Sequence, residues 1–180
     1  MSRRGTGRDE LITVAADAST LNCVIEIPKG SRNKYEYDPE LGGFKLDRFV
    51  SASVVYPTDY GYLPETLAPD GDPLDVLVCV SEPTFPGCIV PSRAIGLFKM
   101  SDEKGRDDHV LCVPCSDPGW NSYESIDDLP RLLRAEIGHF FTVYKDLDPD
   151  KHSEVDGWAD LDAAMETIEK ARKAFRKNSK

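Results

Sequence analysis

Through the first two thirds of the chain, apolar positions come in short, frequently broken runs. The stretches 21–27, 34–37, 44–50, 75–80, 94–100 and 109–113 are rich in β-formers. Pro28-Lys29-Gly30, Leu41-Gly42-Gly43, Asp70-Gly71-Asp72-Pro73 and Phe85-Pro86-Gly87 separate them as turns. Many short strands between Gly/Pro turns predict a small barrel rather than an alternating βαβ sheet. Residues 1–20 are small and polar with little periodicity; they read as a tail, leaving 21–180 as a single domain.

Beyond residue 114 the period changes to three and four. Leu129, Leu132, Leu133, Ile137, Phe140, Phe141 and Tyr144 predict a helix that tolerates Pro130 in its first turn. Leu161, Met165, Ile168, Arg172 and Phe175 predict a second, braced by the pairs Glu166–Lys170 and Glu169–Lys173. The predicted class is therefore mainly β with two flanking C-terminal helices.

Composition narrows the partners. The 180 residues carry 22 Lys+Arg against 32 Asp+Glu, a net charge of −10. Six of the basic residues fall in 170–180 with no acid among them, where they suit the negative end of a helix. The remaining 169 residues hold 16 basic against 32 acidic side chains. Such a surface repels nucleic acid and anionic membranes. An anionic substrate would need metal ions to mediate its binding. No apolar run approaches the ~20 residues of a membrane span, and residues 1–5 lack the apolar stretch of a signal peptide. Five cysteines cannot all pair within one chain, so free thiols in a reducing cytoplasm are expected.

The candidate chemistry begins with Asp70-Gly71-Asp72-Pro73-Leu74-Asp75. Three carboxylates this close raise one another's pKa unless cations neutralise them. A solvated turn would also use these residues, but Asp75 opens the apolar run Val76–Val80, which ties the cluster to a buried strand. An EF-hand is excluded: Leu74 occupies a ligand position and Ser81 replaces the terminal Glu. A second acidic group, Asp102, Glu103, Asp107 and Asp108, occupies the turn between two predicted strands and reads alone as a charged hairpin loop.

Charges also lie on the strands. Arg48 alternates with Phe44, Leu46 and Val50, Glu26 with Val24, and Lys34 with Glu36. Charges of both signs on small-barrel strands point to a polar cavity, to which Tyr56, Tyr60 and Tyr62 could add hydroxyl donors. Excess carboxylates with Lys, Arg and Tyr donors suit a polyphosphate clamped through Mg²⁺, the hard ion that oxygen ligands favour. No Walker loop, dinucleotide fingerprint or HExxH occurs. Cys112-Val113-Pro114-Cys115 has no second pair for zinc and no helix pattern directly after it.

At this level of detail the sequence resembles the soluble family I inorganic pyrophosphatases, from about Leu21 to Phe175. The Asp70–Asp75 stretch fits that family's signature D-[SGDN]-D-[PE]-[LIVMF]-D. Ile25-Glu26-Ile27-Pro28, Lys34-Tyr35-Glu36, Leu46-Asp47-Arg48-Phe49, the tyrosine segment and His139-Phe140-Phe141 with Tyr144-Lys145-Asp146 agree in order and spacing. The resemblance implies an OB-like five-stranded barrel and Mg²⁺-dependent hydrolysis of pyrophosphate to two orthophosphates. It implies Asp70, Asp75 and Asp107 as ligands of the tightest metal, Asp75 shared with a second, and Asp102 with Asp107 on a substrate-borne ion. Glu26 and Glu36 would line the cavity and support a further metal. Lys34, Arg48, Tyr56, Tyr60, Tyr144 and Lys145 would face the substrate, and Asp72 or Asp107 would act as general base. The prokaryotic branch it most resembles is usually homohexameric. His109 stands where the family commonly has lysine; either it replaces a phosphate contact or it points outward from the end of its strand. The rival readings are a phosphohydrolase acting on nucleotides or other polyphosphates, and a non-catalytic metal-binding protein.

Overall fold

In the computed structural model, which describes residues 19–179, five strands close on themselves. They are β1 (Leu21–Ile27), β4 (Asp59–Leu63), β5 (Leu74–Val78), β8 (His109–Pro114) and β6 (Ile89–Asp102), in the ring order β1-β4-β5-β8-β6, with β6 returning to pair with β1. This is the expected small barrel. The predicted N-terminal tail lies outside the described residues except for Ser19 and Thr20. All ring pairings are antiparallel except β5 with β8, which run parallel with Val76 opposite Val110. Both strands of that pair are buried on both faces, which is why their sequences read as continuous apolar runs.

The barrel strands alternate between two cores. Ile25, Val76, Val78, Val110 and Cys112 pack with Ala164, Ile168 and Ala171 of α2 (Leu161–Asn178). Leu77, Cys79, Leu111 and Val113 face the other way, toward Ile137, Phe140 and Phe141 of α1 (Arg131–Val143). Both helices fall where the periodicity predicts them, with two adjustments. Pro130 caps α1 from just outside it, and Leu132, counted on the apolar face, is 70% exposed. In α2 the buried stripe is Ala164, Ile168 and Ala171, while Leu161 and Met165 stay largely outside. Small side chains let the helix axis approach the sheet, so alanines take the contact that the larger residues were expected to fill.

Two predicted strands lie off the barrel. β2 (Asn33–Asp38) and β3 (Gly43–Phe49) form a separate two-stranded sheet, with the exposed Leu46 and Phe49 on it. β4 and β9 (Ser153–Ala159) carry no clear strand signal in the sequence. β9 is an edge strand on β6, polar in alternation and bent at Gly157, where φ is +110°. β4 is short and has a glycine at its centre. Gly61 is obligatory there, because a Cβ would lie 1.9 Å from the Val24 carbonyl oxygen of β1. A two-residue strand, β7 (Gly105–Arg106), folds back on the end of β6.

Candidate active site

The barrel topology gathers the acidic residues at one rim. β4 and β5 pair with Tyr62 opposite Asp75, and the loop joining them carries Asp70 and Asp72. That loop turns at Gly71, where φ is +95° and only glycine is unstrained. The Asp72 N–H donates to Asp70 Oδ1 (3.0 Å), and the Ala68 N–H donates to the Asp72 carbonyl (2.8 Å). The parallel register of β5 and β8 sets Asp75 beside His109, and Asp107 precedes His109 by two residues on the same strand approach. The turn after β6 brings in Asp102 and Glu103.

Asp70, Asp72, Asp75, Asp102, Glu103 and Asp107 line a cleft of about 1050 Å³ together with Glu26, Lys34, Glu36, Arg48, Tyr60, Tyr144 and Lys145. Tyr56, expected at the site, does not line it. Its ring is 2% exposed, 4.5 Å from Phe140 and 5.5 Å from Tyr60. It packs beneath the floor of the cleft and supports Tyr60.

Three cations of the cleft, Lys145, Lys34 and Arg48, are already paired. Lys145, at the end of α1, donates to Asp102 Oδ2 (2.8 Å) and to both Glu103 oxygens (3.1 and 3.2 Å). Lys34 donates to Glu36 and to Asp47 Oδ2. Arg48 Nη1 lies 3.6 Å from Asp148 Oδ2, while Ser51 Oγ donates to the other Asp148 oxygen (2.5 Å). Sequence reasoning did not find Asp148. It sits in a polar loop after α1, 100 residues from Arg48, and nothing local marks it. Glu103 was visible as part of the acidic turn, but not its bond to Lys145.

Asp70, Asp75 and Asp107 differ. Among the described residues, none of them has a lysine or arginine within ion-pair distance. Asp75 Oδ2 accepts from the Tyr60 hydroxyl (2.6 Å) and lies 3.5 Å from His109 Nε2; Asp107 Oδ1 is 3.7 Å from the same nitrogen. Burial, then the charges of Asp75, Asp102 and Asp70, push the Asp107 carboxyl above its ordinary range, although His109 opposes them. Burial and the neighbouring Asp70 charge likewise raise Asp72, with Lys104 opposing. Burial and the adjacent carboxylates keep the Tyr60 phenol protonated, so it acts as a donor. A set of hard oxygen donors in want of positive charge fits divalent cations such as Mg²⁺.

Glu26 gives a pH test of this electrostatic stress. Burial lifts its carboxyl to about 7, against the N–H donated by Tyr37 (2.8 Å) and with a further push from Asp75. Its folded pKa thus lies above the unfolded value of 4.5. The stability it contributes is complete below the unfolded pKa and is lost as pH rises through the folded one. Metal-free Glu26→Gln should therefore melt together with wild type near pH 4.5 and above it beyond pH 7. The gap at the alkaline end should be on the order of 2–4 kcal/mol. Thermal melts in a chelator across that range measure it; parallel curves would show that Glu26 is not held protonated.

His109 matches neither expectation. It is 1% exposed, so it does not point outward, and it does not line the cleft. It lies behind Asp75 and Asp107, its ring stacked 4.9 Å from Phe141.

Residues 23–176 match the family model described as inorganic pyrophosphatase. The chain is 52% identical to an inorganic pyrophosphatase of Methanosarcina acetivorans, over 87% of this chain and 93% of that one. It is 53% identical to that of Streptomyces coelicolor, over 84% and 93%. Among solved structures, the inorganic pyrophosphatase of Thermus thermophilus superposes with a TM-score of 0.87 at 43% identity, covering 91% of this chain and 95% of the other. The Helicobacter pylori enzyme gives the same TM-score at 40% identity, covering 91% and 97%.

Proposed function

This chain belongs to the inorganic pyrophosphatase family, and from that premise we propose how its own residues carry out the hydrolysis of pyrophosphate to two orthophosphates. The observation that carries the reading is the division of charge in the cleft: three carboxylates without a lysine or arginine partner stand beside Lys34, Arg48 and Lys145, each of which has an acidic one. Asp70, Asp75 and Asp107 would hold the tightest divalent ion, Mg²⁺ by its preference for oxygen ligands. Asp75 would be shared with a second ion, Asp102 and Asp107 would receive one carried by the substrate, and Glu26 and Glu36 would support a further one. Ions bound there would lower the pKa of a water molecule and screen the charge of the substrate.

The remaining work falls to side chains. Arg48, Lys34 and Lys145 offer charge-assisted hydrogen bonds to phosphoryl oxygens, and Tyr60 and Tyr144 offer neutral ones. Lys145 must exchange part of its bonding to Asp102 and Glu103 for substrate, which reserves its charge until an anion arrives. The oxygen of the attacking water bonds to one phosphorus as that phosphorus loses its bond to the bridging oxygen, which leaves with the other phosphate. Asp72, at the open edge of the loop and with a raised pKa, takes the proton; Asp107 is committed to cations. The cationic groups stabilise the charge left on the departing phosphate.

Phosphate release tests this reading. With Mg²⁺, pyrophosphate should be preferred over ATP by roughly 100-fold or more in kcat/KM, since the charged groups lining the cleft suit two phosphoryl groups rather than a nucleoside. A chelator should stop the reaction. Equal rates on both substrates would favour the broader phosphohydrolase, and release that ignores the chelator would overturn the metal requirement.

We also infer a homohexamer, supported by the apolar side chains of Leu46, Phe49, Val55 and Phe85 that the single chain leaves exposed. Light scattering should return six times the 20.0 kDa chain mass, and a monomer mass would refute it. Among the described residues no helix is long and apolar enough to cross a membrane. The free thiols of Cys23, Cys79, Cys88, Cys112 and Cys115 support a cytoplasmic location.

A further inference from the structure

We propose that His109 is itself a metal ligand, turning the Asp75–Asp107 position into a mixed nitrogen–oxygen site for a borderline divalent ion such as Zn²⁺ or Co²⁺. The inference rests on the reading of those carboxylates as cation ligands and adds the imidazole to them.

Three observations lead to it. First, both ring nitrogens of His109 are buried and neither has a hydrogen-bond partner. An unpartnered buried polar atom costs free energy on the order of 1–3 kcal/mol, so a buried imidazole in that state calls for an occupant. Second, the ring is aimed. Phe141 stacks on it at 4.9 Å, Phe98 lies nearly parallel at 6.0 Å, and Tyr60 meets it edge-on at 5.6 Å. Those contacts fix the plane so that Nε2 faces Asp75 Oδ2 at 3.5 Å and Asp107 Oδ1 at 3.7 Å. Third, the three donor atoms lie within 4.8 Å of one another. Donors that share one ion at bond lengths of about 2.0–2.2 Å sit about 3–4 Å apart.

The position is also fixed by topology rather than by mobile loops. The parallel β5–β8 ladder holds residues 75 and 109 side by side, and Asp107, just before β8, is anchored by its N–H donating to the Met100 carbonyl of β6 (2.9 Å). A lysine there would only bring a positive charge against the carboxylates; an imidazole, which Asp107 and Asp75 favour as the cation while no ion is bound, can give up its proton to an arriving ion and offer a lone pair. Imidazole nitrogen adds little to Mg²⁺ binding but favours Zn²⁺ and Co²⁺. Hydrolysis by this chain should therefore accept those ions more readily than a site made of oxygens alone.

Direct evidence comes from long-range proton–nitrogen NMR of the full chain labelled with ¹⁵N-histidine, titrated with Zn²⁺ after metal removal. His109, assigned through His109→Gln, should show its Nε2 resonance displaced in step with the first equivalent of Zn²⁺. Calorimetric titrations should give a Zn²⁺-to-Mg²⁺ affinity ratio at least about tenfold higher in wild type than in His109→Gln, with Mg²⁺ affinity nearly equal in the two. An unmoved His109 resonance at saturating Zn²⁺, in a protein whose Zn²⁺ binding is abolished by Asp75→Asn, would overturn nitrogen ligation and leave the carboxylate site standing. Zn²⁺ binding that is indifferent to Asp75→Asn would overturn both. Where His109→Gln fails to fold, replacing the exposed His139 and His152 assigns the remaining resonance to His109, and the spectrum still decides the matter.

Discussion

Asp75→Asn should lose hydrolysis by a factor on the order of 10³ or more at saturating Mg²⁺, equivalent to about 4 kcal/mol of transition-state stabilisation. Its circular dichroism spectrum should not change. Asp75 heads a strand whose next three residues are buried, but its own side chain points into the cleft at 22% exposure. Asparagine keeps the shape and can still accept from the Tyr60 hydroxyl, so the fold loses no hydrogen bond. What disappears is the negative charge shared by the proposed ions. Asp107 at the same time loses one of the charges that raise its pKa. Turnover within a few-fold of wild type would show that Asp75 is not a ligand of the reacting centre.

Arg48→Lys should reduce kcat/KM by roughly 10- to 100-fold while shifting the melting temperature by no more than a few degrees. Arg48 sits at a bulge in the β2–β3 register, half-buried, and faces the cleft with Asp148 behind it. The planar guanidinium can span that carboxylate on one side and a phosphoryl group on the other. A lysine ammonium is a point charge and has to choose between them. If the pair with Asp148 were purely structural, the result would invert: the melting temperature would fall and catalysis measured well below it would hardly change.

Local spacing marks the acidic chemistry of this protein well. Asp70, Asp72 and Asp75 fall within one turn and the head of one strand, so their proximity is guaranteed by chain connectivity. The same holds for Asp102 and Asp107 across one hairpin. Buried strands β5 and β8 are legible because residues covered on both faces must be apolar with little interruption. Strand β4 is harder to see, since its central glycine answers to the backbone of β1 rather than to any local preference. Strand β9 exposes alternate residues at an edge, and its polarity resembles that of a loop.

The sequence by itself determined the class of fold, the two helices and the list of groups that can do chemistry, because each depends on interactions between residues near one another in the chain. Tertiary structure alone decided which partner each group meets. Lys145 reaches Glu103 and Arg48 reaches Asp148 across long stretches of chain, and β6 closes the ring on β1 rather than ending a sheet. It also chose the buried stripe of α2, where close approach to the barrel favoured Ala164 and Ala171 over Met165. His109 is the sharpest case. One-dimensional spacing left its side chain free to face phosphate or solvent, whereas the parallel register of β5 and β8 and the stacked ring of Phe141 turn it to the carboxylates of Asp75 and Asp107. Register and packing are set by the sum of many distant contacts, and no window of sequence contains that sum.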